Sequence, residues 1–311
     1  MRSLGSLHPS SAQSPSPRMT TREPIHLGGA AAGAATYPAR EPVVLLHPFL
    51  LSQVAWQTVA EQLAETGRYE VFAPTMAGHN GGPYSGTWFL SSAVLADYVE
   101  RQMDELGWNT AHIVGNSLGG WVAFELESRG RARTVTAIAA AGGWTRWSPL
   151  KYEAILKFMS GMPLWVLARV FGPRALRLPL SRRLGTLPLC ARPDAISESD
   201  LRACLDDAAH CPAYFQLMLK ALLLPGLIEL AQTAVPTHLV FCEKDRVFPQ
   251  GRYSRHFTTH LPSDTKVTKL ENVGHVPMFE APGRVTEVIT EFLDEYRSPL
   301  SIQRALDSPA S

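Results

Sequence analysis

Gly115-Asn116-Ser117-Leu118-Gly119 is the stretch on which the reading of this chain turns. The apolar run Ala111-His112-Ile113-Val114 precedes it, and a helical pattern from Leu118 to Ser128 follows. Strand, glycine-flanked serine and helix, in that order, predict a sharp turn that lifts the serine hydroxyl above a sheet edge. Glycine two residues before and two after the serine permits the close backbone approach such a turn needs. Ser117 is therefore a candidate nucleophile.

A serine hydroxyl is weakly nucleophilic and needs a base, itself oriented by a third group. Downstream, His238-Leu239-Val240-Phe241 reads as a buried strand. It runs into Cys242-Glu243-Lys244-Asp245-Arg246-Val247-Phe248-Pro249, a loop with two acids. Lys266-Val267-Thr268-Lys269-Leu270 reads as another strand and leads into Glu271-Asn272-Val273-Gly274-His275. Serine, acid and histidine thus fall at strand ends, in the chain order of an elbow-type triad.

At these residues the chain resembles the α/β-hydrolase superfamily, over about residues 40 to 297. Val43-Val44-Leu45-Leu46-His47 looks like the strand leading to that family's oxyanion loop. Ala73-Pro74-Thr75-Met76-Ala77-Gly78-His79 looks like its glycine loop, and Phe279-Glu280-Ala281-Pro282 like the segment after its histidine. The resemblance implies an α/β fold, a mostly parallel doubly wound sheet with an inserted helical cap. It implies Ser117 as nucleophile, His275 as general base and Asp245 as orienting acid, with Glu243 as the rival. Asp245-Arg246-Val247-Phe248-Pro249 matches the family's acid motif and favours Asp245. Neither a metal nor an organic cofactor is implied.

The oxyanion donors implied are the backbone N–H groups of Phe49 and Leu118, worth about 3 kcal/mol each in such sites. Relatives commonly carry glycine where this chain has Pro48, and proline has no N–H to donate. His47 and His79 read equally well as packed loop histidines or as substrate contacts.

Gly-Asn-Ser-Leu-Gly-Gly resembles a group that includes esterases and carbon–carbon bond hydrolases of meta-cleavage products. The expectation is a serine hydrolase that cleaves a carboxylic ester of a largely apolar small molecule through an acyl-enzyme. A carbon–carbon bond hydrolase is the first alternative, although Val276 stands where those enzymes carry an aromatic. A biosynthetic thioesterase, cyclase or elimination enzyme with the same triad is another. A non-catalytic ligand-binding member is a third. Epoxide- and halide-opening relatives use aspartate at the elbow, and position 117 is serine.

Strand–helix alternation over about residues 42 to 144, resumed at Thr237, argues a parallel sheet wrapped by helices. The expected organisation is a disordered tail at 1–23, a core at 24–147 and 235–297, a helical cap at 148–234 and a loose tail at 298–311. The glycines between 28 and 33 weaken any strand there, so an N-terminal hairpin is expected to be short or missing. Three apolar stripes run through the cap: Tyr152, Ile155, Leu156, Met159; Leu164, Leu167, Ala168, Phe171; and Phe215, Met218, Leu219, Leu222. Trp144, Met159, Phe171, Phe215 and Met218 are the expected pocket residues. Arg182 and Arg183 read as a solvated basic face or as ligands for a substrate carboxylate.

The 311 residues are 45% hydrophobic with a formal net charge of +1. That net charge makes no electrostatic case for nucleic acid or an anionic membrane. The expected partner is a small-molecule substrate; oligomeric state stays open. The four cysteines, Cys190, Cys204, Cys211 and Cys242, match no zinc spacing and read as free thiols. The Ser- and Pro-rich N-terminus lacks the apolar core of a signal peptide, so the expected location is cytoplasmic.

Overall fold

A computed structural model describes residues 21–29, 40–87, 89–145, 147–172, 174, 183, 185–223 and 230–297 of the chain. Among these, seven strands form one sheet: β1 (Ile25–Leu27), β2 (Glu41–Leu46), β3 (Tyr69–Ala73), β4 (Ala111–Asn116), β5 (Ala132–Ile138), β6 (Thr237–Cys242) and β7 (Lys266–Leu270). Their order is β1-β3-β2-β4-β5-β6-β7, and every pairing is parallel except β1 with β3. Every residue of β2, β4 and β6 is buried. That explains their near-continuous apolar sequences, since a central parallel strand is covered on both faces. β7 alternates half-buried and exposed residues up to the buried Leu270, as an edge strand does. The other edge is the three-residue β1, which ends at Gly28.

Alternation along β2 divides the core. Val43 and Leu45 face a cluster with Val59 and Leu63 of α1 (Gln57–Glu65). Val44 and Leu46 face the opposite cluster, because successive side chains on a strand point to opposite faces. That second cluster holds Leu95, Val99 and Met103 of α2 (Ser92–Glu105) and Val122 and Phe124 of α3 (Leu118–Ser128). The result is a three-layer sandwich. The carboxyl ends of β2, β4, β5, β6 and β7 share one edge, where ligands bind in open parallel sheets.

Among the described residues, four α-helices lie between β5 and β6: α4 (Pro149–Ser160), α5 (Met162–Phe171), α6 (Glu198–Ala209) and α7 (Ala213–Leu223). Their rotation differs from the sequence expectation. In α4, Lys151, Ala154 and Ile155 are buried and Phe158 packs on the core, while Tyr152, Leu156 and Met159 are exposed. In α7, Tyr214 is buried and Leu217 and Met218 pack inward, while Phe215 and Leu219 are exposed. In α5, Ala168 is buried and Phe171 is exposed. The physical reason is that α4, α5 and α7 carry apolar residues on more than one face. Periodicity then leaves the buried face undetermined, and the surface they land on selects it.

The short α8 (Gln250–Tyr253) and α9 (Arg255–His260) follow β6; α10 (Pro277–Glu280) and α11 (Pro282–Glu295) follow β7. Val285, Ile289 and Phe292 of α11 complete the cluster that holds α1. Arg22, within the expected tail, is tied to this framework. Its Nη1 donates to Asp207 Oδ1 of α6 at 2.8 Å and to Ser52 Oγ at 2.7 Å, and its N–H donates to the Gly81 carbonyl. Burial pushes the Asp207 carboxyl up, against the pull of its bonds to Ser52 and Arg22. The four cysteines are free and buried. Burial raises all four thiols, that of Cys211 to about 12. Residues 1–20 and 298–311 lie outside the described residues, as do Arg182 and the side chains of Leu164 and Leu222.

Candidate active site

Ser117 sits between the last residue of β4 and the first of α3, with φ 54° and ψ −113°. A non-glycine residue at positive φ is strained, and such strain concentrates at functional sites. The turn is held in place from β5: Ser117 N–H donates to Ile138 O at 2.9 Å, and Ala141 N–H donates to Ser117 O at 2.9 Å. The flanking glycines have steric causes. A Cβ on Gly115 would lie 2.1 Å from the Gly119 carbonyl oxygen, and one on Gly119 would lie 2.1 Å from that of Leu46.

Asp245, at the end of β6, accepts three hydrogen bonds. Val247 N–H and Phe248 N–H donate to Oδ1, each at 2.8 Å. His275 Nδ1 lies 2.8 Å from Oδ2. An acceptor-only carboxylate makes Nδ1 the donor, which leaves the Nε2 lone pair available as a base. His275 Nε2 is buried and, among the described residues, has no hydrogen-bond partner. Phe248 packs edge-on against the imidazole, with centroids 5.1 Å apart. Glu243 points elsewhere: its Oε2 accepts from Asn272 N–H at 3.0 Å, with Lys244 and Lys269 nearby. That backbone bond and the two lysines hold its carboxyl below the usual range.

Two polar side chains fix the histidine loop, and sequence reasoning singled out neither for this role. Asn116 Nδ2 donates to His275 O and to Ile138 O, both at 3.0 Å. Glu280, buried, accepts from Gly274 N–H at 2.6 Å, Ala191 N–H at 2.9 Å and Arg192 N–H at 2.7 Å. Val276 N–H donates to Leu189 O at 2.8 Å. The loop after β7 is thereby stitched to the cap segment Leu189–Arg192. Gly274 allows that approach, because a Cβ there would lie 2.6 Å from Ala191 N. The positions of Asn116 and Glu280, adjoining the serine and histidine motifs, were the available signal.

The loop after β2 forms a turn in which Leu51 N–H donates to Pro48 O and Leu50 takes φ 70°. Position three of such a turn normally calls for glycine. Pro48 is thus the turn's acceptor, and Phe49 N–H stays out of it. Leu118, first residue of α3, has an N–H without an intrahelical acceptor. Among the described residues neither of these N–H groups donates to a loop or cap carbonyl. His47 is a packed loop residue: Nε2 accepts from Met76 N–H at 2.9 Å and Nδ1 faces Pro48 O at 2.9 Å. Burial, with His79 beside it, holds its pKa well below the ordinary value. His79, lowered to about 4 by burial, packs edge-on against His47 and Phe49.

Of the expected pocket residues, Trp144 is buried against Trp121 and against Phe248, the ring that packs on His275. Met218 packs on the cluster that contains Phe49 and Leu118. Met159, Phe171 and Phe215 lie on the outer surface of the cap instead. The aromatic wall facing the loop after β2 is built from their neighbours. Phe49 stacks on Tyr214 of α7 at 6.1 Å and meets Phe158 of α4 edge-on at 5.2 Å. Arg183 is exposed and Arg182 lies outside the described residues.

A family model described as "Alpha/beta hydrolase family" matches residues 43–288. The chain is 68% identical over 206 residues to "Epoxide hydrolase EphH" of Mycobacterium tuberculosis, a match that covers 66% of this chain and 96% of that protein. Its fold is similar to that of a thermophilic esterase from Thermogutta terrifontis, with TM-score 0.65 and 20% identity over 89% of this chain and 100% of that one. A 2-hydroxy-6-oxo-6-phenylhexa-2,4-dienoate hydrolase from Rhodococcus sp. is similar to the same degree, with TM-score 0.65 and 20% identity over 88% and 99% of the two chains. At that identity the two structures speak for the fold alone.

Proposed function

This chain belongs to the α/β-hydrolase family, and from that premise we propose that it is a serine hydrolase that cleaves a carboxylic ester of a largely apolar small molecule. The observation that carries the proposal is Ser117 on the strained turn after β4, next in sequence to the Asn116 amide that holds His275 O, with an Asp245–His275 pair whose Nε2 is uncommitted. In this reading Ser117 Oγ attacks the ester carbonyl and His275 Nε2 takes its proton. Asp245 keeps Nδ1 protonated and balances the imidazolium. The N–H groups of Phe49 and Leu118 stabilise the tetrahedral oxyanion. His275 then protonates the leaving alcohol, and water delivered through the same base releases the acid. The aromatic wall of Phe49, Phe158 and Tyr214 suits apolar acyl or alcohol groups.

The similarity to a protein named epoxide hydrolase favours a second reading. Serine attack on an epoxide carbon would leave an ether, with no carbonyl through which water could release the product. Epoxide opening here would therefore need water, activated by His275 and Asp245, to attack directly without a covalent intermediate. In that case Ser117 would be a polar contact and not the nucleophile.

Fluorophosphonate labelling, with turnover of p-nitrophenyl esters and of styrene oxide measured in parallel, separates the two. The ester reading expects label on Ser117, ester turnover, and loss of both in Ser117→Ala. Epoxide turnover that survives Ser117→Ala, with no label, would replace it by the second reading. Each acyl methylene buried should contribute about 0.8 kcal/mol, so specificity should climb from acetyl toward longer esters until the site is full.

A further inference from the structure

The net charge of +1 conceals a strong asymmetry. Residues 148–192 carry eight Lys or Arg and one Glu. The same part of the chain forms α4 and α5, which expose Leu156, Met159, Val166, Val170 and Phe171. Leu156 and Val170 are 68% and 69% exposed, and Phe215 of α7 is 69% exposed. α4 passes into α5 at Gly161 and packs against α7, so the three helices that carry these exposed residues are neighbours. Arg169 lies in the last turn of α5 and Arg174 follows its C-terminus; both, like Arg183, are exposed and, among the described residues, have no ion-pair partner. An apolar face of this extent on a water-soluble surface marks an interaction site. We propose that the outer face of the cap docks onto an anionic lipid surface.

Chemistry selects this occupant. Basic side chains bordering Leu, Val and Phe are the pattern of a helix that lies in a bilayer interface. Each arginine near an anionic leaflet gains from its negative surface potential. A second copy of this chain is a poorer match. Isologous pairing would bring two copies of the same basic patch into one interface, with like charges brought together. No helix among the described residues is long and apolar enough to cross a membrane, so the docking is peripheral. The proposal does not depend on which bond the enzyme cleaves.

The test is flotation of the full-length protein with phosphatidylcholine vesicles, with and without phosphatidylglycerol, at low and physiological salt. Binding is expected on the anionic vesicles only, weakening as salt rises. The double variant Leu156→Glu, Val170→Glu should lower vesicle affinity about tenfold or more. Arg169→Glu and Arg174→Glu should each lower it about fivefold. All four positions lie outside the proposed catalytic machinery, so fluorophosphonate labelling and circular dichroism should match wild type. Absence of binding, equal binding to neutral vesicles, or variants that bind like wild type would overturn the proposal. A dimer seen by light scattering that Leu156→Glu dissolves, without vesicle binding, would assign the face to a second copy instead.

Discussion

The side-chain amide of Asn116 donates a 3.0 Å hydrogen bond to the backbone carbonyl of His275, across 159 residues of sequence. The residue before the proposed nucleophile thereby sets the position of the proposed base. Its second N–H holds Ile138 O at 3.0 Å, and that carbonyl also receives Ser117 N–H at 2.9 Å. One amide thus references β4, β5 and the histidine loop to each other. Asn116→Ala should leave His275 O buried without this donor, at a cost of about 1–3 kcal/mol. Displacement of a base by even an ångström costs about a hundredfold in rate. We expect kcat to fall by that order with KM little changed, alongside a lowered urea midpoint. An unchanged kcat would show that the loop is held without Asn116.

Asp245 and Glu243 differ in what they touch. Asp245 meets His275, whereas Glu243 caps a turn at Asn272. Asp245→Asn should therefore lower kcat by about 10⁴, the effect seen for the equivalent change in a serine-protease triad. Glu243→Gln should stay within a few-fold of wild type. The two rates, measured side by side, check the assignment; a reversed ranking would refute it.

Glu280 and Gly274 act as a pair. Glu280→Ala removes the acceptor of three backbone N–H groups, and about 3 kcal/mol or more of stability should go with it. Gly274→Ala inserts a Cβ 2.6 Å from the Ala191 nitrogen and should loosen the same junction. Urea unfolding reads the first loss. Slower fluorophosphonate labelling of Gly274→Ala would read the second, because the base moves with the loop.

Stability should fall on the acid side of neutrality. His79, His112 and His238 are each lowered to about 4 by burial, and His47 is held well below its ordinary value. A histidine with a depressed folded-state pKa takes up its proton first in the unfolded chain. Its contribution is full above the unfolded pKa and is lost as pH drops from about 6.5 toward 4, by up to roughly 3 kcal/mol per residue. His112→Asn keeps a partner for Thr134 and removes one titrating group. Urea unfolding between pH 7.5 and 4.5 should show a shallower pH dependence in the variant than in wild type. Identical slopes would mean that His112 titrates normally.

The sequence alone determined the sheet and the serine turn. β3, β7 and α3 fall where the apolar runs place them, because a buried strand or a glycine-pinned turn is specified by residues adjacent in the chain. The Ser, Asp and His motifs were legible for the same reason, each lying at a strand end. Asp245 was preferred to Glu243 only through its likeness to a family motif; the physical difference between them is a contact across 30 residues, which periodicity and spacing do not contain. Nor do they contain the roles of Asn116 and Glu280, whose partners are backbone groups carrying no sequence signature. The rotation of the cap helices was decided by tertiary packing alone. Met159 and Phe158 are neighbours on a helix with apolar residues on more than one face, and it is the ring of Phe49 on the core that draws Phe158 inward and leaves Met159 in water.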